Sequence, residues 1–348
     1  MVAILHDKGT TLPKLLQYVF YRMLTVKAPV KAVSSIEDLY IAPGVTVSFD
    51  GSAKTTINNL YVDKKGDYDG ILIAPMSINT GIDIKNGTNL GTIKALKTSI
   101  TTINGTFSQN GNIENKITVS EGAVLNVKKD VVTEITNNGT TNIEDAANVT
   151  TTALKNNATL NINGSVLLNN YKTNSVANIT GGTVKLSNTN NGTIIITNGS
   201  SFDANGKTVN DLAYEWNAEA PIKDNTNPLK NLESLVTRVI MNGATVNAMS
   251  KVTNITNLKT IDVKNTWTLP ATAKNKVLDF TFYQINVVDN AKFTVPSTSN
   301  IKAGVSIQTG KQMTIDTNVK FVAGSTINVA QDASLKGDKC DATITNNY

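Results

Sequence analysis

The stretch DKKGDYDG, from Asp63 to Gly70, gathers Asp63, Asp67 and Asp69 in one short polar segment. Clustered carboxylates are the hard oxygen donors that Ca2+ takes, so the first chemistry this stretch suggests is metal binding. The pattern departs from the helix-flanked calcium loop, which ends in a bidentate Glu where this chain, counted from Asp63, has Ala74. A polar turn bounded by glycine between two strands explains the same letters, and no metal is expected.

A second set of acids, Glu114, Glu121, Glu134, Glu144 and Asp145, holds the candidates for acid and base work on a sugar bond. Such a pair must sit roughly 5 to 9 Å apart across a groove, and spacing along the chain brings no two of them together. An aromatic floor for sugar would have to come from Trp216 and Trp267, the only tryptophans. His6 is the single histidine and Cys340 the single cysteine, so the body of the chain cannot build a Ser-His-Asp or Cys-His site. An intrachain disulfide and a thiolate metal cluster are equally out of reach. The expectation is a protein that is not an enzyme and carries no cofactor.

The charge is unevenly placed. Residues 1–35 hold Lys8, Lys14, Arg22, Lys27 and Lys31 against Asp7 alone, which leaves only +1 of the formal +5 for the rest. With Arg22 and Arg238 as the only arginines, the near-neutral body does not fit a nucleic-acid partner, despite the basic isoelectric point. No apolar run approaches the eighteen or so residues of a membrane span, so none is expected. The first apolar run contains Arg22 and lacks the form of an export signal, which predicts folding in a cytosol.

The elements that would position any site fall into two kinds. Leu12, Leu15, Leu16, Val19, Phe20, Met23 and Leu24 recur at the spacing of one helical face, with Thr11 placed to cap and Pro13 in the first turn. An amphipathic helix over 12–24 is predicted, serving as a lid on the following core or as a surface for self-association or partner docking.

Most of the chain after it reads as short strands, while LKNLESLVTRVIM, at 229–241, fits a short helix or a longer strand equally. IEDLYI at Ile36–Ile41 and INNLYV at Ile57–Val62 match in pattern, twenty-one residues apart. Val127, Ile143, Ile162, Ile179 and Ile196 follow at intervals of 16, 19, 17 and 17, each on an alternating segment introduced by a Gly, Ala or Asn turn. A helical crossover does not fit inside such a unit, so parallel strands must coil about a common axis. One apolar residue recurring in every coil then forms an interior ladder, with each buried CH2 contributing roughly 0.8 kcal/mol. Asparagine recurring at the bends can donate and accept between coils. The pattern weakens after Asp211 and returns from Ala291 onward, which divides the chain into an arm (1–35), a β-solenoid (36–212), an irregular excursion (213–240) and a continued solenoid (241–348).

This texture resembles the right-handed parallel β-helix proteins. The short N-terminal segment ahead of a near-neutral solenoid looks like the plan of bacteriophage virion fibres and tailspikes. The resemblance implies an all-β, single-stranded parallel β-helix with a short N-terminal helix. It also implies a non-enzymatic virion component, made in the host cytoplasm, that forms a homotrimer. Its implied contacts are other virion proteins and a host-surface glycan or protein. A bacterial cell-surface β-helix adhesin is the alternative, and a carbohydrate-active β-helix enzyme the third.

Overall fold

A computed structural model describes residues 4–6, 25–28, 35–49, 55–74, 81–95, 100–197, 200–217, 232–244, 252, 254–337 and 343–346. The chain is an all-β parallel β-solenoid, in two compact units. One is Met1–Thr193 with Ser201–Asn210, the other Ile194–Ser200 with Asp211–Tyr348. The predicted helix over 12–24, with its apolar face from Leu12 to Leu24, lies outside the described residues.

In the first unit one parallel ladder runs through Thr25–Ala28, Thr46–Phe49, Ile71–Ala74, Thr92–Ala95 and Asn112–Ile113. Another runs through Ser35–Ile41, Thr55–Val62 and Gly81–Asn89 and then divides. Ile100–Ile103 pairs with the start of Gly81–Asn89 and Thr106–Gln109 with its end. From there each coil gives two strands across a bend, first Lys116–Val119 and Val124–Val127, then Ile135–Asn137 and Thr140–Ile143. Gly87 sits at the point of division with φ 142°, and a Cβ there would collide with the Leu60 backbone one coil away. Only glycine tolerates that conformation at so close an approach.

The paired motifs read from the sequence stack in register. Ile36 lies opposite Ile57, Leu39 opposite Leu60 and Ile41 opposite Val62. Val127, Ile143, Ile162 and Ile179 form one buried column. Leu125, Thr141, Leu160 and Ala177 form a second one. Strand alternation turns every second residue inward, so a motif repeated once per coil places like over like at the roughly 4.8 Å spacing of neighbouring strands. Two strands of the N-terminal segment join this unit. Thr25–Ala28 continues a ladder, and Ile4–His6 runs antiparallel along Ser35–Ile41, which places His6 opposite Asp38.

The second unit repeats the scheme. Its longest ladder runs through Arg238–Asn242, Thr260–Val263, Gln284–Val287, Gly304–Ile307, Thr326–Val329 and Thr343–Asn346. Thr266–Thr268, Ala291–Thr294, Gln312–Ile315 and Ser334–Lys336 make a second face. Leu278–Asp279, Ser299–Lys302 and Val319–Phe321 make a third. The segment 213–240, read as an excursion, begins and ends in this lattice, since Ala213 to Asn217 pair with Arg238 to Asn242. Within it, residues 218–231 lie outside the described residues.

Aromatic rings fill this interior where the first unit relies mainly on aliphatic ones. The Trp267 ring centroid is 5.5 Å from Phe280 and 5.4 Å from Phe293, and Phe293 meets Phe321 edge-on at 6.2 Å. Trp216 and Trp267 are 2% and 0% exposed, so neither tryptophan offers a floor for sugar. Burial of indole area within a coil outweighs any surface role for them.

Candidate functional site

The three carboxylates of DKKGDYDG serve a turn. Lys64–Lys65 and Tyr68–Asp69 form a small antiparallel hairpin around Gly66, whose φ of 60° the tight reversal requires. Asp63 accepts from the Tyr40 hydroxyl at 2.8 Å and from the Lys64 backbone N–H at 2.7 Å. Asp69 accepts from the Lys64 ammonium at 2.8 Å and from Thr92 Oγ1 at 3.1 Å. The Lys64 contact holds the Asp69 carboxyl below the usual carboxylate range. Asp67 stands exposed at the tip. Among the described residues no three His, Cys, Asp or Glu side chains converge on a point that could hold a metal ion.

The acids considered for catalysis are distributed along the outer surface of the first unit, and three of them engage a lysine one coil earlier. Lys94 meets Glu114 at 3.9 Å, Lys116 meets Glu134 at 2.8 Å and Lys128 meets Glu144 at 3.4 Å. Glu121 and Asp145 are exposed on turns. These ion pairs link successive coils, because a residue outward at one position has its partner directly above or below. None of them places two carboxylates on opposite walls of a groove.

Two asparagine ladders run through the same coils. One is interior: Asn137 donates to Asn156 Oδ1 at 2.8 Å, Asn156 to Asn170 Oδ1 at 2.9 Å and Asn170 to Asn190 Oδ1 at 2.7 Å. All four are 0% exposed. Their amides also meet the backbone around the bend, as Asn137 does at the Thr159 carbonyl, 2.7 Å away. A buried carboxamide without partners would be costly, and the stack supplies Asn156 and Asn170 with partners on both sides.

The other ladder faces outward. Asn142 donates to Asn126 Oδ1, Asn161 to Asn142 Oδ1 and Asn178 to Asn161 Oδ1, each at 2.8 Å. Each of these asparagines immediately precedes a buried column residue, Val127, Ile143, Ile162 or Ile179, so alternation turns it out of the core. The ladder runs into a shallow depression of about 300 Å3, lined among others by Asn142, Glu144, Asp145, Asn161, Asn163 and Thr180.

No protein-family model matches the chain, and no curated protein or solved structure is similar to it. The chemistry of the depression therefore has to be read from its own residues. It combines carboxamide donors held in fixed orientation with carboxylate acceptors on one turn, an arrangement suited to binding polar groups.

The second unit carries a polar cluster that spacing along the chain does not reveal. Arg238 reaches Asp211 and Asp262 at 3.2 Å each, and Asn286 donates to Asp262 Oδ1 at 2.9 Å. Glu215 accepts from Asn242 at 2.6 Å and lies 3.7 Å from Lys264. The only signal in the sequence was the rarity of arginine, because an isolated Arg in a neutral solenoid has to find carboxylates on neighbouring coils. Its two cations and three carboxylates pair with one another across neighbouring coils, so the cluster is structural in character.

Proposed function

We propose that the chain is a non-enzymatic structural and attachment component of a bacteriophage virion, a fibre, spike or capsid-decorating protein. In this reading the N-terminal arm docks on other virion proteins or assembles a homotrimer, and the β-solenoid is the rigid body that meets the host surface. The observation that carries it is the interior ladder from Asn137 to Asn190. A row of mutually satisfied buried amides fixes each coil on the next and resists local opening, which is a property a strut needs and a catalytic cleft does not. The pairing of Glu114, Glu134 and Glu144 with lysines supports the non-enzymatic side of the reading.

The test is where the protein resides. Antibody raised against the chain should decorate projections on particles released by lysis, when seen by electron microscopy. Label confined to the envelope of uninfected cells would overturn the virion reading and favour a cell-surface adhesin.

A further inference from the structure

The depression beside the outward asparagine ladder has the chemistry of a site for hydroxyl groups. Its volume of about 300 Å3 lies at the small end of the range for ligand sites. Asn142 and Asn161 each use one N–H and the carbonyl oxygen in the ladder. A carboxamide has two N–H groups, so one on each remains for a ligand, and the ladder has already fixed its direction. Asn163 adds a third amide; its Oδ1 rests where Gly181 leaves room, and a Cβ at 181 would strike it. Glu144 and Asp145 place exposed carboxylate oxygens on the adjoining turn.

Donors and acceptors thus line one open depression together. A neutral polyol matches that wall, since each hydroxyl both donates and accepts. An anionic ligand would meet Glu144 and Asp145, and an apolar one would leave the amides without partners. Cleavage does not fit the same geometry. The two carboxylates come from consecutive residues of one turn, and Lys128 holds Glu144 at 3.4 Å, whereas glycoside hydrolysis needs two carboxyl groups flanking the bond.

We infer that the depression at Asn142, Glu144, Asp145, Asn161 and Asn163 is a binding subsite for a neutral saccharide, which it holds without cleaving. The inference rests on the attachment reading above and gives that reading its receptor chemistry.

The experiment applies the full chain to an array of neutral hexose oligosaccharides, with sialylated and sulfated ones alongside, and follows the best binder by titration calorimetry. Binding to neutral glycans is expected, weakened about tenfold or more by Asp145→Ala and by Asn163→Ala, each of which removes a hydrogen-bonding group from the depression. Gly181→Ala, which displaces the Asn163 amide, should weaken it similarly. The Asp145 and Asn163 side chains are exposed, and unchanged melting by circular dichroism will confirm that all three variants fold. Binding confined to anionic glycans, absence of binding to any neutral one, or affinity unaltered by the variants would each overturn the inference. So would the appearance of new reducing ends. Particle labelling is independent of these variants, so loss of the saccharide site and loss of the virion reading remain distinguishable.

Discussion

Asn137 donates its side-chain amide to Asn156 Oδ1 at 2.8 Å, one coil away in the interior of the solenoid. The contact transmits order along the coils, because Asn156 in turn donates to Asn170. Asn156→Leu would remove the middle of this chain, taking from a buried Asn137 N–H its acceptor and leaving Asn170 Oδ1 with the Ser175 hydroxyl alone, at a cost of about 3 kcal/mol or more. Asn137→Leu should cost less, since Asn137 has Val119 as its earlier neighbour in register and loses amide contacts on one side only. Urea denaturation of the two variants checks the order; equal losses would mean that the ladder does not act as a chain.

Arg238 in the second unit lies between Asp211 and Asp262, and the Asp262 side chain is only 9% exposed. Arg238→Leu strands a mostly buried carboxylate and should destabilise by about 3 kcal/mol. Arg238→Lys should recover part of this, as an ammonium does not offer the planar fork that reaches both acids. The double variant Arg238→Leu with Asp262→Leu is expected to be more stable than Arg238→Leu alone, which thermal melting will show.

The Tyr214 hydroxyl is buried and has no hydrogen-bond partner among the described residues. Tyr214→Phe should therefore leave stability unchanged or raise it slightly. Burial pushes the phenol well above its ordinary value of 10.0. The folded state thus retains a proton that the unfolded state gives up, so this contribution is complete below pH about 10 and declines as pH rises beyond it. Alkaline titration followed by phenolate absorbance should show one tyrosine ionising only with unfolding, and Tyr214→Phe should abolish that component.

Lys116 and Glu134 meet at 2.8 Å with both side chains substantially exposed. Solvent and salt screen such a pair, so Lys116→Ala or Glu134→Ala should change stability by less than about 1 kcal/mol. A large loss from either change would show that the coil-to-coil ion pairs carry more of the fold than the asparagine and aliphatic columns.

Much of this organisation is legible in the letters. The column Val127, Ile143, Ile162 and Ile179 is visible as a repeat because inward positions must be apolar once per coil, whatever the lengths of the turns between them. The asparagine before each member is legible for the same reason, as alternation sends it outward. The helical face from Leu12 to Leu24 is a reading of the sequence that the described residues do not reach.

The identity of neighbours is a different matter. Asn137, Asn156, Asn170 and Asn190 resemble the outward asparagines in composition, yet they turn inward at a bend. Which of two adjacent asparagines enters the core depends on where the chain reverses, and that is set by the whole path of the coil. The same holds for Arg238 and its acids, which are 24 and 27 residues away along the chain.

The sequence by itself determined that short strands would alternate with turns and stack at a nearly constant period, since alternation and apolar recurrence are local properties. Only the tertiary structure decided that Asn142, Asn161 and Asn163 would share a depression with Glu144 and Asp145. The physical reason is that side-chain neighbours in a solenoid lie one coil apart, and the turns that set this register vary in length.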